Sequence, residues 1–410
     1  MNNKILILGA GEGQLPLISR AKNTGWYVIV ASPEGNYPGF TLADECFYVD
    51  VSNEKLVLDY AERSDIKAIA SDQTDISMST VQYVAKRLGL PCINCDEIDY
   101  FRYKSKMRQV CLEYGLRTIS YCETSNVDDA IAFFNSLSLR QTIIKPVDSQ
   151  GSRGVTRIDD LDSLPQAFDL AMKYSKSKQV IIEQFIEGQE IEVDTVVYQN
   201  EIMGVLIGDV KNFVTANKYS AYERIYPSKL PLDIQNYICE INAKTISALG
   251  LHTGWTHGEY IVSKSGDVYL LEIGARGGGN YIGSDIVKTM LGRGTDEMAL
   301  NTALGDLSFY KDVYLRNSYC AYKCFLLPEG EIESINIDWS YLNQPFVLKH
   351  NLLGLQVGLK ISKSTDKTSR FTIVVKAKNH NELRQILDDI PNHINIVVKN
   401  KLGTRPIIWK

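Results

Sequence analysis

The sequence predicts an α/β protein whose N-terminal part is a doubly wound domain with a parallel sheet. Short apolar strands alternate with helical segments up to about residue 100, and this alternation implies parallel strands joined by helical crossovers. Further along, alternating apolar and polar residues flank a Gly-containing turn, which is typical of an antiparallel hairpin. A chain of 410 residues is long enough for two or three domains.

Composition limits the classes of partner. The chain has 44 Lys plus Arg against 49 Asp plus Glu and a formal net charge of -5, so no broad attraction to nucleic acid or anionic lipid is expected. Its apolar runs, such as Ile5 to Leu8, are far shorter than the roughly 18 residues that span a bilayer. No cleavage-site pattern follows Met1 to Ala10. We therefore expect a cytoplasmic protein without nucleic-acid or membrane partners.

The first domain is predicted from its elements in order. Lys4 to Leu8 forms a strand, Leu15 to Asn23 a helix and Val28 to Ala31 a second strand, while Ala68 to Ser71 precedes a helix around Thr80 to Leu88. The alternation breaks near residues 96–103. A helix then resumes over Lys104 to Tyr114, and Gly115 can end it. The first domain boundary is therefore expected just before Lys104.

The glycines after the first strand invite a dinucleotide interpretation, because such a loop exposes backbone N–H groups to phosphate. Gly9, Gly11 and Gly13 give GxGxG, whereas the full fingerprint has its third glycine one place later. The second strand also ends at Ser32 without a ribose-binding carboxylate. An NAD-linked oxidoreductase stays an alternative, beside a tight turn that lines a pocket for another small ligand.

A second glycine-rich loop lies between residues 149 and 155, after an apolar strand that ends at Lys145-Pro146. Its Ser and Gly residues can present backbone N–H groups to phosphate oxygens, and Lys145 adds a positive charge. The order differs from that of a P-loop. Nucleotide phosphates fit this combination, and a plain hairpin turn is the alternative.

An acidic strand follows the segment Glu183 to Ile186. Glu190, Glu192 and Asp194 share one face of this strand. The functional hypothesis is that the backbone of Glu183 to Ile186 bonds a purine while Glu190 accepts hydrogen bonds from ribose hydroxyls. A solvated acidic face is the alternative.

The predicted hairpin brings two carboxylates together. If Ser265 and Gly266 form a two-residue loop, Glu259 lies directly opposite Glu272 on the same face. Like charges at such positions repel unless a cation lies between them, and hard oxygen ligands suit Mg²⁺. A coincidental acidic pair is the alternative, and removing Glu272 would then simply relieve a repulsion.

Arg276 follows the second carboxylate on a loop rich in glycine. Its guanidinium can neutralise a developing oxyanion or bind a carboxylate bidentately. An arginine that only pairs with a neighbouring acid is the alternative.

These residues resemble those of the ATP-grasp ligases, in particular the carboxylate-amine ligases that include L-amino-acid ligases and relatives of biotin carboxylase. The segment from Tyr103 to Arg108 is similar to the family's DKxxMR segment. The resemblance covers nearly the whole chain and implies ATP and Mg²⁺ as cofactors. It implies roles for Lys104 and Lys145 as nucleotide lysines, Ser149, Gly151, Ser152 and Gly154 as the phosphate-covering loop, Glu183, Gln184, Phe185 and Ile186 as the adenine hinge, Glu190 as the ribose acid, Glu259 and Glu272 as magnesium ligands, and Arg276 as the catalytic arginine.

Two departures from the family pattern bear on the site. Tyr103 replaces the usual Asp, and Gly274 replaces the Asn that commonly helps to bind a second magnesium, so one or two metal ions remain open. Arg153 and His257 are further candidates for facing a substrate, with a buried, hydrogen-bonded His257 as the alternative.

The resemblance also implies the domain organisation. It predicts a pre-ATP-grasp Rossmann-like domain over residues 1–102, an ATP-grasp domain with the nucleotide and metal site over 103–305, and a C-terminal α+β lid over 306–410. The implied function is amide or peptide bond formation between a small-molecule carboxylate and an amine through an acyl phosphate. Alternatives are a carboxylase that activates bicarbonate and a nucleotide-binding protein without turnover. The oligomeric state is left open, a homodimer included.

Overall fold

Four β-sheets organise the part of the chain that the computed structural model describes, residues 3–148, 154–213, 221–362 and 369–410. Within these residues no helix is both long enough and apolar enough to cross a bilayer. The first sheet is parallel, as predicted, and has the strand order β3-β2-β1-β4. Its elements are β1 (Lys4–Leu8), α1 (Leu15–Asn23), β2 (Tyr27–Ser32), α2 (Pro38–Leu42), β3 (Glu45–Tyr48), α3 (Glu54–Arg63), β4 (Ala68–Ala70), α4 (Asp75–Leu88) and β5 (Asn94–Cys95), the last of which pairs outside this sheet.

Helix α4 begins at Asp75, five residues before the predicted segment around Thr80. Thr74 precedes it in extended conformation, and Asp75 places a negative charge in the first turn, where the helix dipole favours one. The helix ends at Gly89, which adopts a left-handed φ of 65°. This start puts Asp75 at the carboxyl edge of the parallel sheet.

A small antiparallel sheet follows, with the strand order β6-β9-β7-β8. Helix α5 precedes it and ends just before Gly115, whose φ of 71° supports the predicted stop. The elements are α5 (Lys104–Glu113), β6 (Tyr121–Thr124), α6 (Val127–Ser136), β7 (Thr142–Pro146), β8 (Thr156–Ile158), α7 (Leu164–Tyr174) and β9 (Val180–Gln184).

The third sheet is the largest and runs in the order β14-β13-β10-β11-β12-β15-β19-β17, with β5 paired to β13. One face is apolar and packs on α8, with Ile191, Val193 and Tyr260 in the same core as Ile238 and Ile246. The opposite face carries the charged residues. The elements up to residue 303 are β10 (Gly188–Tyr198), β11 (Glu201–Asn212), β12 (Ala221–Tyr226), α8 (Leu232–Ala248), β13 (Leu251–Ser263), β14 (Val268–Gly274), α9 (Lys288–Leu291) and α10 (Thr295–Ala303).

The remaining elements extend this sheet and add a fourth one. Strands β15, β17 and β19 join the large sheet, while β18-β16-β20-β21 form a small antiparallel sheet. The elements are β15 (Tyr319–Leu326), β16 (Gly330–Ile337), α11 (Trp339–Leu342), β17 (Val347–His350), β18 (Lys360–Ile361), β19 (Arg370–Ala377), α12 (His380–Asp389), β20 (Ile394–Asn400) and β21 (Gly403–Pro406).

The hairpin β13–β14 has the predicted pairing of Glu259 with Glu272 but not the predicted loop. Ser263 N–H donates to the Asp267 carbonyl, so three residues form the turn and Val262 pairs with Val268, one place out of the expected register. A β-bulge that skips Leu271 then restores the register. The prediction of a two-residue loop was wrong. The three-residue turn and the bulge each shift the pairing register by one residue, and the two shifts cancel before Glu259 and Glu272.

We predict that Gly266→Ala lowers the free energy of unfolding by about 1 kcal/mol. Gly266 has a φ of 85°, and only Ile234 Cδ1, at 3.9 Å, lies near an added Cβ, so the cost is backbone strain. Urea unfolding measures it. The matched control is Gly354→Ala, where no atom lies within 4 Å of an added Cβ and φ is not left-handed. Equal stability of the two variants would contradict the strained turn.

Candidate functional site

The polar face of the large sheet gathers acidic side chains from three adjacent strands. Asp194 pairs with His257 across β10 and β13, and Glu192 pairs with Glu259. Glu259 in turn pairs with Glu272 across β13 and β14. Because directly paired residues point to the same side of a sheet, all five side chains share one face. Glu192 and Asp194 are buried, so the acidic strand is not a solvated surface.

Lys104 offsets the repulsion between the opposed carboxylates. Its Nζ lies 2.9 Å from Glu272 Oε2, and the lysine is buried. Burial opposes ionisation of Glu272, but Lys104 outweighs it and lowers the pKa of that carboxyl. Burial raises the pKa of Glu259, and the charge of Glu272 raises it further. The two carboxylates are therefore unequal, with the uncompensated charge on Glu259.

Glu192 is held by two side chains of β12, which lies two strands away from β10 in the sheet. Arg224 Nε donates to Glu192 Oε1, and Tyr226 Oη donates to Oε2 at 2.7 Å. The ring of Tyr226 crosses β11 at Gly208, where a Cβ would overlap it. One possible ligand atom from each of Glu192, His257 and Glu259 can be chosen so that the three atoms lie within 4.8 Å of one another.

His257 is buried and hydrogen-bonded, which is the alternative that the sequence left open. Its Nδ1 lies 2.9 Å from Asp194 Oδ1. Burial opposes protonation of the ring, but Asp194 outweighs it and raises the pKa of His257. His257 therefore contributes to the polar face as a fixed group.

A second charged cluster joins the small sheet to the hairpin. Lys145 Nζ lies 2.6 Å from Glu183 Oε2, and Arg108 Nε donates to Glu183 Oε1 at 2.7 Å. The other Arg108 nitrogens donate to the carbonyls of Leu270 and Leu271 at 3.1 and 2.9 Å. Burial opposes ionisation of Glu183, but Arg108 and Lys145 outweigh it and lower its pKa to about 2. Arg108 thus ties β9 to β14.

The backbone of the predicted hinge is partly used within the protein. Gln184 N–H donates to the Ser120 carbonyl at 2.9 Å, and Phe185 N–H donates to the Gln141 carbonyl at 2.8 Å. Neither group can then donate to a purine. Among the hinge residues, Ile186 is the N–H donor to which the described residues offer no acceptor.

Glu190 lies at the edge of the acidic face. Its Oε2 accepts from Asn212 Nδ2 at 2.6 Å. Burial and the neighbouring Glu259 raise the pKa of Glu190 to about 7. This carboxyl is half-buried, so a ligand on this face can reach it.

Two aspartates from the first domain hold the Arg276 loop. Arg276 Nε donates to Asp75 Oδ1 at 3.0 Å, and Gly277 N–H donates to Asp72 Oδ1 at 2.8 Å. A Cβ on Gly274 would overlap Asp75 Oδ1 and lie 3.0 Å from Arg276 Nε. The space that an Asn side chain would need at Gly274 is therefore filled by the ion pair.

The glycine loop of the first strand is closed by Gln14. Gln14 Oε1 accepts from Gly11 N–H at 3.2 Å, and its Nε2 donates to the Asp72 carbonyl at 2.8 Å. A Cβ on Gly9 would lie 2.9 Å from Gln14 Cδ. A side chain thus takes the place where a phosphate would meet this loop in a dinucleotide site.

The second glycine loop is described only in part. Ser149, Gly151, Ser152 and Arg153 lie outside the described residues. Gly154 has a left-handed φ of 74° and lies against Pro146 and Tyr174. Gly154 therefore lies next to Pro146, the residue that directly follows Lys145.

Sequence reasoning missed four residues that shape the site: Arg108, Asp75, Glu192 and Arg224. The helical segment containing Arg108 and the face containing Glu192 were identified, but neither residue was given a role. Asp75 and Arg224 lie 201 and 32 positions from their partners Arg276 and Glu192, and no local pattern relates such residues.

The chain resembles known proteins in sequence and in fold. Residues 140–285 match the family model described as the ATP-grasp domain. The D-alanine--D-alanine ligase of Lactococcus lactis subsp. lactis is 30% identical over 138 residues, 32% of this chain and 39% of that protein. The chain thus spans less than half the length of this curated relative.

Two solved structures share the fold over almost the whole chain. The L-amino acid ligase from Bacillus licheniformis has a TM-score of 0.79 at 22% identity, covering 98% of this chain and 100% of that one. The biotin carboxylase domain of the Hydrogenobacter thermophilus 2-oxoglutarate carboxylase, solved with MgADP and bicarbonate, has a TM-score of 0.74 at 16% identity, covering 99% and 92%. The fold expected from the sequence is confirmed.

We predict that Arg108→Met lowers the free energy of unfolding by about 3–5 kcal/mol, because it removes one of two cations from buried Glu183 and leaves two carbonyls without donors. Urea unfolding is the measurement. Arg117→Met is the control, since this exposed arginine contacts Asp267 at 3.3 Å and should change stability by about 0.5 kcal/mol or less. Similar losses in both variants would rule out Arg108 as the tie between β9 and β14.

Proposed function

We propose that this chain, which contains an ATP-grasp domain over residues 140–285, is an ATP-dependent carboxylate-amine ligase. It joins a small-molecule carboxylate to an amine through an acyl phosphate and releases ADP and phosphate. The observation that carries the proposal is the half-buried pair Glu259–Glu272 with buried Lys104 beside it. We also propose a cytoplasmic location and the division into domains at residues 1–102, 103–305 and 306–410.

The donor set at the hairpin fits Mg²⁺. Two half-buried carboxylates face each other, and no cation among the described residues lies within salt-bridge distance of Glu259. Oxygen ligands of this kind, completed by phosphate oxygens, suit a hard divalent ion. Bound there, Mg²⁺ would neutralise phosphate charge. Gly274 offers no third ligand, so the proposal needs only the two carboxylates.

In this proposal the lysines bind the nucleotide. Lys104 and Lys145 both point from buried positions into the region between the small sheet and the hairpin, each paired with a glutamate. They can exchange that partner for phosphate oxygens, which also carry negative charge. The Ile186 N–H bonds the purine, and Glu190 accepts from a ribose hydroxyl.

The reaction has two steps. A carboxylate oxygen of the substrate attacks the γ-phosphorus, and the bond to the β,γ-bridging oxygen breaks to release ADP. The amine nitrogen then attacks the acyl carbon, loses a proton, and phosphate leaves. Arg276, fixed by Asp75, stabilises the oxyanion that forms on the acyl oxygen.

Two alternatives have different support. The likeness to a biotin carboxylase domain keeps bicarbonate activation as a second candidate within the same fold. In both reactions an oxygen of the acid attacks the γ-phosphorus, and the carboxylase differs in that bicarbonate is the acid that is phosphorylated. The NAD-linked alternative loses support, because Gln14 closes the loop that was to hold the pyrophosphate.

We expect ATP hydrolysis to ADP and phosphate only when Mg²⁺, a suitable carboxylate and a suitable amine are all present. The assay screens amino acids and small acids in pairs by coupled ADP release, with bicarbonate as a separate arm. Product amide is identified by mass spectrometry. Release of AMP and pyrophosphate would contradict the proposal, and turnover that requires bicarbonate would favour the carboxylase.

We further predict opposite effects of the two carboxylates on the metal-free protein at pH 7. Glu259→Gln removes a carboxyl that lies directly opposite Glu272 without a cation of its own among the described residues, so it should stabilise by about 1 kcal/mol. Glu272→Gln breaks the buried pair with Lys104 and should destabilise by about 2 kcal/mol. A repulsion-only pair would instead be relieved by either substitution.

The same variants test the metal site. Each should lose most of the melting shift that Mg²⁺ and ATP give together, while Arg276→Ala should keep that shift and lose amide formation. Thermal melting with and without Mg²⁺-ATP is the measurement. A full shift and normal turnover in Glu272→Gln would remove the metal site from the proposal.

A further inference from the structure

The polar face of the large sheet continues beyond the acidic strands into a basic half. Arg224 pairs with Tyr322 across β12 and β15, and Tyr322 pairs with Val374 across β15 and β19. Arg370, four residues before Val374, therefore points to the same face. The guanidinium carbons of Arg224 and Arg370 lie 5.0 and 5.6 Å from the Tyr322 ring centroid. Two guanidinium groups thus share one aromatic platform.

Arg224 keeps unused donor capacity. Its Nε donates to Glu192, but its Nη1 is buried and has no hydrogen-bond partner among the described residues. A buried polar group without a partner costs about 1–3 kcal/mol, and more when it is charged. The side chain as a whole is 13% exposed, so Arg224 is not sealed off from the polar face.

Arg370 has no counter-ion within the described part of the chain. Its Nη2 donates to Tyr322 Oη at 2.6 Å and to the Ala221 carbonyl at 3.0 Å, and its Nε lies 3.3 Å from Cys324 Sγ. None of these partners is a carboxylate. A largely enclosed cation without a carboxylate partner is a site at which an anion can bind favourably.

The distance to the reacting groups suits a small molecule. Arg224 contacts Glu192, and the ligand atoms of Glu192 and Glu259 lie within 4.8 Å of each other. One side chain therefore separates the Arg224 guanidinium from the carboxylate proposed to hold the metal. A substrate whose reacting group lies at Glu259 can reach Arg224 with an anionic group a few bonds away.

We propose that Arg224 and Arg370 form the binding site for a substrate carboxylate other than the one that is phosphorylated. This inference rests on the proposed ligase function and names the substrate class: one substrate is an amino acid that reacts through its amine, or a dicarboxylic acid that reacts at one end. Both sources present the same group to the two arginines, and a planar guanidinium binds it in bidentate fashion. Monocarboxylates paired with simple amines are then poor substrates.

The experiment measures binding, so it does not depend on turnover. The full chain, with Mg²⁺ and a non-hydrolysable ATP analogue, is titrated with standard L-amino acids and with succinate while its melting temperature is followed. Each acid is matched by a counterpart in which one carboxylate is replaced by a neutral group, the amino-acid carboxamide or, for succinate, butyrate. We expect at least one acid to raise the melting temperature, and its counterpart to lose about tenfold or more in affinity. A melting shift with an amino acid indicates an amino-acid substrate, and a shift with succinate indicates a dicarboxylic acid.

Conservative variants keep the test independent of folding. Arg224→Lys retains a cation beside Glu192, and Arg370→Lys retains one beside Tyr322, but neither keeps the forked donors. Each should weaken binding of the acid about tenfold or more while leaving the shift from Mg²⁺ and nucleotide unchanged. Arg293→Lys, whose arginine pairs with Glu297 and Asp312 away from this face, is the matched control and should bind the acid normally.

Three results would overturn the inference: wild-type affinity in both lysine variants, equal affinity for an acid and its counterpart, or a panel in which Mg²⁺ and nucleotide stabilise the protein but no acid does. Failure of the proposed function looks different, because then Mg²⁺ and nucleotide give no stabilisation in the unsubstituted chain. In that case the same titrations without nucleotide decide whether the arginines bind a carboxylate.

Discussion

The site depends on one constraint, the placement of like charges at directly paired positions of an antiparallel sheet. Glu192, Glu259 and Glu272 lie in register on three adjacent strands, where side chains are about 5 Å apart. Such a row would unfold the sheet edge if every carboxylate were ionised without a partner. Lys104 on one side and Arg224 on the other compensate the outer two. Glu259, between them, has no such cation among the described residues.

The surrounding elements supply those cations from distant parts of the chain. Lys104 comes from α5 and Arg224 from β12, while Arg276 is held by Asp75 at the start of α4. The parallel sheet is therefore tied to the Arg276 loop through Asp75 at the start of α4. Gly208 and Gly274 also make these contacts possible. The ring of Tyr226 fits over Gly208, and the ion pair of Asp75 with Arg276 fits against Gly274.

The sequence was sufficient for the elements whose signals are local. The limits of α1, the opposition of Glu259 and Glu272, and the parallel first sheet follow from periodicity, turn residues and pairing geometry. The loop length was wrong because a three-residue turn and a bulge at Leu271 have no distinct signature, and their offsets cancel. The ion pairs of Arg108, Asp75 and Arg224 were out of reach, since they join residues that only the tertiary fold brings together.

The lysine–glutamate pairs explain how a buried polar site can exist before its ligands arrive. Burying Lys104 or Lys145 has an unfavourable desolvation free energy. In the free protein the ion pairs with Glu272 and Glu183 offset it. Binding of a phosphate group would then exchange one anion for another at each lysine, so the net gain per lysine is small. Affinity must come chiefly from places where the free protein leaves charge or donors unmatched. On the polar face, such places include Glu259 in the acidic half and Arg224 with Arg370 in the basic half. The two halves therefore favour ligands of opposite charge, a cation at one end and an anion at the other.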